Sequence, residues 1–424
     1  MRALIKTGAA ICLSVSLLAF SGPAARASVI VQRDAAASTT ALELWFRAPS
    51  AGYDSQNPGI ARLALTALAA SRPSPHGTSL AEYVKALGGT LSINAYADLA
   101  MVGVSVPSWQ GASAAKHLAA AYFTPSISDD GMKAAVRDCA VAGTESRFDA
   151  DRLLQDALFA HVFESGPAHY APTPQNASDY AKIAAPDVKA FAARAFAPSN
   201  AIVSAAGAID DAVLAPFGRA AQGAPAQAPL DSALSNRPAD VTLDAAVEGL
   251  GVAWTGPGIT DEKNATAMDF IADYLFDPDH GTLANALPSK SQVLINGQFI
   301  TLHDPGVLLV TVSGTGSADM RQNVLDAVSA LQKPMDAKTF AAARAAFVYH
   351  ILSQIQTPLS RADNFGWYAG EGNLPYAPGS DSGAYLRAAE SLDPGFVAQA
   401  ARRFLQHPSV VTLSANKKSQ GAAI

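Results

Sequence analysis

Arg62, Leu65 and Thr66 fall at i, i+3 and i+4 of the segment Asn57-Pro-Gly-Ile-Ala-Arg-Leu-Ala-Leu-Thr-Ala-Leu-Ala-Ala-Ser71, which reads as a turn opening into a helix. Histidines at the first and last of these positions, with a glutamate at the middle one, would hold zinc and supply a general base. The chain offers instead a guanidinium, an isobutyl group and a hydroxyl. A guanidinium has only donors and keeps its proton below about pH 12, so it ligates no metal at neutral pH. Leucine takes no proton.

Other residues with chemical potential are scattered. His161 and Glu164 stand one helical turn apart and could meet one ion, with His169 beyond the Gly166-Pro167 turn, but a half-buried histidine and a surface pair fit the same pattern. Cys139 has no neighbouring histidine in sequence. Ser113-Ala-Ala-Lys116 matches Ser-x-x-Lys without the companion motifs Ser-Asp-Asn and Lys-Thr-Gly, and Ser113 reads as a helix N-cap. No Gly-x-Ser-x-Gly occurs. No cofactor and no metal site is expected.

The elements that carry these residues follow from spacing. Ile60, Leu63, Ala64, Ala67 and Leu68 recur at helical period, which predicts that Arg62, Leu65 and Thr66 share a different face. Residues 113–123, 131–141 and 151–163 also read as helices. Leu42–Phe46 and Gly251–Trp254 read as strands; 90–106 reads as two antiparallel strands, as do 292–301 and 307–312. Pro186-Asp-Val-Lys-Ala-Phe-Ala-Ala-Arg194-Ala-Phe196 followed by Ala201–Ser204 aligns without gaps on Pro394-Gly-Phe-Val-Ala-Gln-Ala-Ala-Arg402-Arg-Phe404 followed by Ser409–Thr412, so the chain reads as a duplication. Each half is expected to be α+β, a largely antiparallel sheet with helices packed on one face. The Pro- and Ala-rich stretch 221–242 reads as a linker between units at 28–220 and 243–424.

Arg2 and Lys6, the apolar run from Gly8 to Phe20 and Ala25-Arg26-Ala27 predict a secretory signal over residues 1–27, hence a periplasmic or secreted protein. The run is shorter than the roughly 20 residues a spanning helix needs, so no membrane span is expected. Removing residues 1–27 takes Arg2, Lys6 and Arg26 from the 30 basic residues and none from the 36 acidic ones, which moves the formal charge from −6 to −9. That excess of acid argues against a nucleic-acid partner. The mature chain would keep Cys139 as its one thiol and form no internal disulfide.

Pro58-Gly-Ile-Ala-Arg-Leu-Ala-Leu-Thr66 resembles the helix of the pitrilysin/insulinase-type metallopeptidases, the family that includes mitochondrial processing peptidase, in which Pro-Gly-x-Ala precedes His-x-x-Glu-His. The resemblance extends over essentially the whole mature chain and implies two homologous units related by a pseudo-twofold. It also implies a third zinc ligand, a glutamate, at a position that counts out to Val141-Ala142, where no ligand stands; nearby Glu145 reads as a surface charge. Gly88-Gly-Thr-Leu-Ser-Ile-Asn94-Ala95-Tyr96 resembles the family's Gly-Gly-x-x-Asn-Ala strand, which implies that Asn94 and Ala95 bind substrate as an added strand; a local hydrogen bond of Asn94 is the competing reading. The family's substrate-anchoring Arg and Tyr fall on Thr282 and near Val293.

These expectations converge on a catalytically silent homologue: the non-catalytic subunit of an exported peptidase complex, forming half of a peptide-enclosing chamber. Its partner would be a catalytic paralogue with an intact zinc motif, with a homodimer as competitor, and its ligands extended peptides. The alternative is a stand-alone periplasmic peptide-binding or chaperone-like protein. A third reading, an active metalloendopeptidase, would need catalytic residues outside any recognised motif.

Overall fold

A computed structural model describes residues 28–47, 57–74, 76–163, 170, 172, 174–218, 240–286, 293–372 and 383–415. The first half forms strands β1 (Ser28–Arg33), β2 (Thr39–Arg47), β3 (Thr90–Ala95), β4 (Leu99–Pro107) and β5 (Ala201–Gly207). Its helices are α1 (Ile60–Ala70), α2 (Leu80–Ala86), α3 (Gly111–Phe123), α4 (Asp129–Ser146), α5 (Ala150–Val162), α6 (Ala177–Lys182), α7 (Ala185–Ala195) and α8 (Asp211–Gly218). The second half forms β6 (Asp240–Ala245), β7 (Gly249–Gly256), β8 (Leu294–Ile300), β9 (Gly306–Ser313) and β10 (Ser409–Ala415). Its helices are α9 (Glu262–Leu275), α10 (Thr282–Ala286), α11 (Arg321–Ala330), α12 (Ala337–Ser353), α13 (Pro358–Glu371), α14 (Ala384–Glu390) and α15 (Pro394–Phe404).

The two sheets have one topology. Strand order is β1-β5-β2-β4-β3 in the first and β6-β10-β7-β9-β8 in the second, and every pairing is antiparallel except β1 with β5 and β6 with β10. The duplication, the α+β class and the helix-to-strand repeat of α7–β5 and α15–β10 therefore stand as expected. β1 and β6 were not expected. β1 begins at Ser28, immediately after the predicted cleavage site, and β6 begins at Asp240, inside the stretch assigned to a linker; the rest of that stretch, and the signal, lie outside the described residues.

Each sheet buries one face under helices of its own half. On β2, Leu42, Leu44 and Phe46 point into that core with Ile60, Leu63 and Leu65 of α1. The opposite faces are covered by exchange. α13 from the second half lies on β1, β2 and β5, and α5 from the first half lies on β7, β9 and β10. The inter-half core accordingly mixes Ile30, Trp45 and Ile202 of the first sheet with Phe365 of α13. Arg47 at the end of β2 donates from Nε to Gly370 O (2.9 Å) and from Nη2 to Ala369 O, closing the C-terminus of α13 with a cation where helix carbonyls are exposed. Neither half completes its packing alone.

Candidate functional site

Helix α1 starts at Gly59, whose φ of +85° favours glycine and where a Cβ would lie 2.9 Å from the Tyr180 ring. The expected exposed face does not form around all three residues: Leu65 is 0% exposed and sits in the first-half core. Helix α1 is enclosed on nearly every side, because alanines and leucines let the sheet and α4 approach from both flanks. Only Arg62, Thr66 and Ala70 remain partly exposed. Thr66 Oγ1 donates to Arg62 O at 2.8 Å, and Tyr122 OH donates to Leu65 O at 2.8 Å. Hence one position of the motif faces a cavity, one faces the core, and one has its hydroxyl turned into its own helix.

On α4, Val141 is 54% exposed and Ala142 half-buried, while Glu145 lies at the surface. The group that reaches α1 is Cys139, buried, with Sγ 3.7 Å from Thr66 Oγ1; burial pushes its thiol pKa up, so it is a poor thiolate. Arg62, Thr66 and Cys139 offer no set for zinc. Among the described residues, the group with metal-like spacing is Asp277, Asp279 and His280, where Asp277 Oδ1 already accepts the backbone N–H of Asp279 (2.9 Å) and of His280 (2.7 Å) in the turn after α9. That geometry is a turn cap. His161 is half-buried, and Glu164 and His169, the other members of that set, lie outside the described residues. Ser113 stands within the first turn of α3, which begins at Gly111, and is not its N-cap.

A cavity of about 680 Å³ opens between the halves, lined by Arg62, Asn94, Ala95 and Arg152 from the first and by residues of α9, β8, α12 and α13 from the second. β3 and β8 are the outer strands of their sheets, and both border it. At the β3–β4 turn, Tyr96 N donates to Leu99 O at 2.7 Å, which makes 96 and 99 a hydrogen-bonded pair; alternation makes Ala95 with Ala100 a non-bonded pair and Asn94 with Met101 a bonded one. Ala95 therefore turns its N–H and C=O away from β4. Asn94 gives its main chain to the sheet and keeps its side chain near Tyr96. Thr282 and Val293 do not line the cavity.

The aromatic seam of the cavity joins both halves. Tyr96 stacks on Trp45 at 5.7 Å and meets Trp367 of α13 edge-on at 5.0 Å, and Trp367 Nε1 donates to Thr301 O at 3.1 Å. Beneath it, Glu43 Oε2 accepts from Trp45 Nε1 at 2.8 Å; burial, with repulsion from Asp363 added, pushes the Glu43 pKa up to about 9, so the carboxyl is neutral at pH 7.

The second-half wall is acidic. Asp269 and Asp273 stand at i and i+4 of α9. Tyr385 OH donates to Asp269 Oδ2 at 2.6 Å and Thr301 Oγ1 to Oδ1 at 3.4 Å, yet burial still pushes Asp269 up to about 7. Asp273 Oδ1 lies 2.8 Å from His350 Nδ1, and burial raises its pKa as well. Sequence reasoning named none of Asp269, Asp273, His350, Trp367 or Tyr385. The spacing of the two acids on α9 was the available signal.

Residues 182–347 match the family model described as peptidase M16 inactive domain. The fold is similar to that of a protease from Helicobacter pylori, at TM-score 0.80 and 14% identity over 95% of this chain and 99% of that one. It is also similar to a peptidase M16 inactive domain from Pseudomonas fluorescens, at TM-score 0.78 and 19% identity over 95% of this chain and 98% of that one. A chain of complex III2 from Candida albicans, with Inz-5 bound, aligns at TM-score 0.75 and 13% identity over 97% and 99%. No curated protein matches the sequence.

Proposed function

From the premise that the chain is a non-catalytic homologue of the M16 peptidases, carrying the M16 inactive domain over residues 182–347, we propose that it is an exported accessory subunit. It pairs with a catalytic paralogue and supplies half of a chamber that holds extended peptides. The observation that carries this reading is the cavity in which Arg62, at a lost ligand position, lies beside the open edge of β3. The metal chemistry is gone there while the surface for strand addition remains. A silent half costs such an assembly little, because the partner keeps its own site and this chain still provides a wall. The similarity to a chain of complex III2 supports a subunit role for the fold.

Co-expression with the nearest exported paralogue bearing His-x-x-Glu-His tests the pairing. The expected result is a co-eluting heterodimer whose peptidase activity exceeds that of the paralogue alone. Full activity of the paralogue by itself, with no complex at micromolar concentration, leaves the stand-alone peptide binder. One observation favours that second reading: both halves of a single chain already line the cavity, so capture of a peptide needs no second subunit.

Under either reading the peptide lies along β3. Ala95→Pro removes an outward N–H and leaves the β3–β4 ladder intact, since the Ala95–Ala100 pair exchanges no hydrogen bonds. Peptide affinity should fall about 10-fold or more while the far-ultraviolet spectrum is unchanged. Unaltered binding by a folded variant would place the peptide elsewhere.

A further inference from the structure

We propose that the first-half wall of the cavity is a carboxylate subsite, formed by Arg62 with Arg152, which fixes the direction of a peptide bound along β3. The inference rests on the peptide-binding reading and adds what the cavity recognises. Arg62 and Arg152 line the same cavity as Asn94 and Ala95. Arg152 is anchored 3.5 Å from Asp156 Oδ2, and Asp156 in turn accepts from Tyr170 OH at 2.5 Å, so that guanidinium is held in place. Among the described residues no ion pair joins Arg62 to a carboxylate, and it interacts with the buried Cys139 thiol, whose pKa burial pushes up. Behind this wall Tyr180, within electrostatic reach of both arginines, is 0% exposed and does not line the cavity. Two guanidinium groups lining one cavity wall are a donor set suited to a carboxylate.

The opposite wall supplies the contrast. The two halves share one topology, so α9 and α13 stand in the second half where α1 and α5 stand in the first. α1 and α5 present Arg62 and Arg152; α9 and α13 present Asp269, Asp273 and Asp363. The pseudo-symmetry is kept in the backbone and reversed in charge. A carboxylate entering this cavity is drawn to the first-half wall, where a planar guanidinium can meet both its oxygens, while the second wall lines the cavity with the carboxyls of Asp269, Asp273 and Asp363.

Titration calorimetry on the full mature chain, with a short N-acetylated peptide of uncharged residues as free acid and as C-terminal amide, tests this. The free acid should bind about 10-fold or more tightly than the amide, and high salt should weaken the acid alone. Arg62→Gln should bring the two affinities together. An amidated peptide with one internal Glu separates the sources: tight binding assigns the subsite to acidic side chains as well, weak binding to the chain terminus. Equal affinity of acid and amide for the wild type, or an undiminished gap in Arg62→Gln, overturns the subsite and leaves the peptide-binding reading standing. If neither peptide binds, both fall. Should Arg62→Gln not fold, the acid-to-amide gap and its salt dependence in the wild type decide.

Discussion

Leu65→Glu is expected to cost about 4 kcal/mol or more of stability at neutral pH, read as a large fall in the urea or thermal midpoint. The side chain is 0% exposed among Leu42, Leu44, Phe46 and Leu63, and its carbonyl already accepts the Tyr122 hydroxyl. The substitution removes about 1.5–3 kcal/mol of apolar burial and adds a carboxyl with no partner. Such a carboxyl would titrate above its unfolded value, so the folded form binds more protons through the interval between the two. The loss should therefore be smallest below the unfolded pKa of about 4.3 and grow as pH rises through that interval. Rebuilding His-x-x-Glu-His at positions 62, 65 and 66 is then expected to disrupt the first-half core, not to restore an enzyme. A midpoint at neutral pH close to wild type would show that α1 can turn Leu65 toward the cavity.

The second large effect lies where α13 crosses β2. A Cβ at Gly366 would stand 1.9 Å from Trp45 Nε1 and 2.4 Å from its Cδ1. Trp45 cannot retreat: it is 1% exposed, stacked on Tyr96, edge-on to Trp367 at 6.0 Å and bonded to Glu43. Gly366→Ala should thus lift α13 from the sheet and cost about 3 kcal/mol or more. The reciprocal crossing is a control. At Gly251 a Cβ would meet the Leu158 Cδ1 methyl at 2.8 Å, which can rotate away, and Leu154 Cβ and Cδ2 at 3.1 Å, where a shift of a few tenths of an ångström suffices, so Gly251→Ala should cost about 1–2 kcal/mol, less than Gly366→Ala. Denaturation of the two variants side by side checks the difference; equal losses would mean that Trp45 has room to move.

The backbone plan was largely legible in the sequence, because strand alternation and the duplicated Pro-initiated helix with its following strand survive in both halves. β1 and β6 escaped for a physical reason: they are edge strands joined in parallel to β5 and β10, and each abuts a stretch whose composition suggested another role. Leu65 was misplaced because α1 has only Arg62 and Thr66 as polar residues, too few to define an apolar stripe against a polar one. The exchange of α5 and α13 could not be read, since an amphipathic pattern says which face is buried and not which sheet buries it. For the same reason the seam of Trp45, Tyr96 and Trp367, drawn from distant parts of the chain, left no local signal. Asn94 and Ala95 were chosen by resemblance, and which of them turns its main chain outward is set by the register with β4.

The central claim is that the fold holds peptides without cutting them. Elemental analysis of the purified mature chain at neutral pH, taken with incubation of unfolded peptides and mass spectrometry of the products, tests it most directly. The account predicts no stoichiometric zinc and intact peptides, because Arg62, buried Leu65 and internally bonded Thr66 leave neither ligand nor base. About one zinc per chain, lost together with a cleavage activity on chelation, would contradict it.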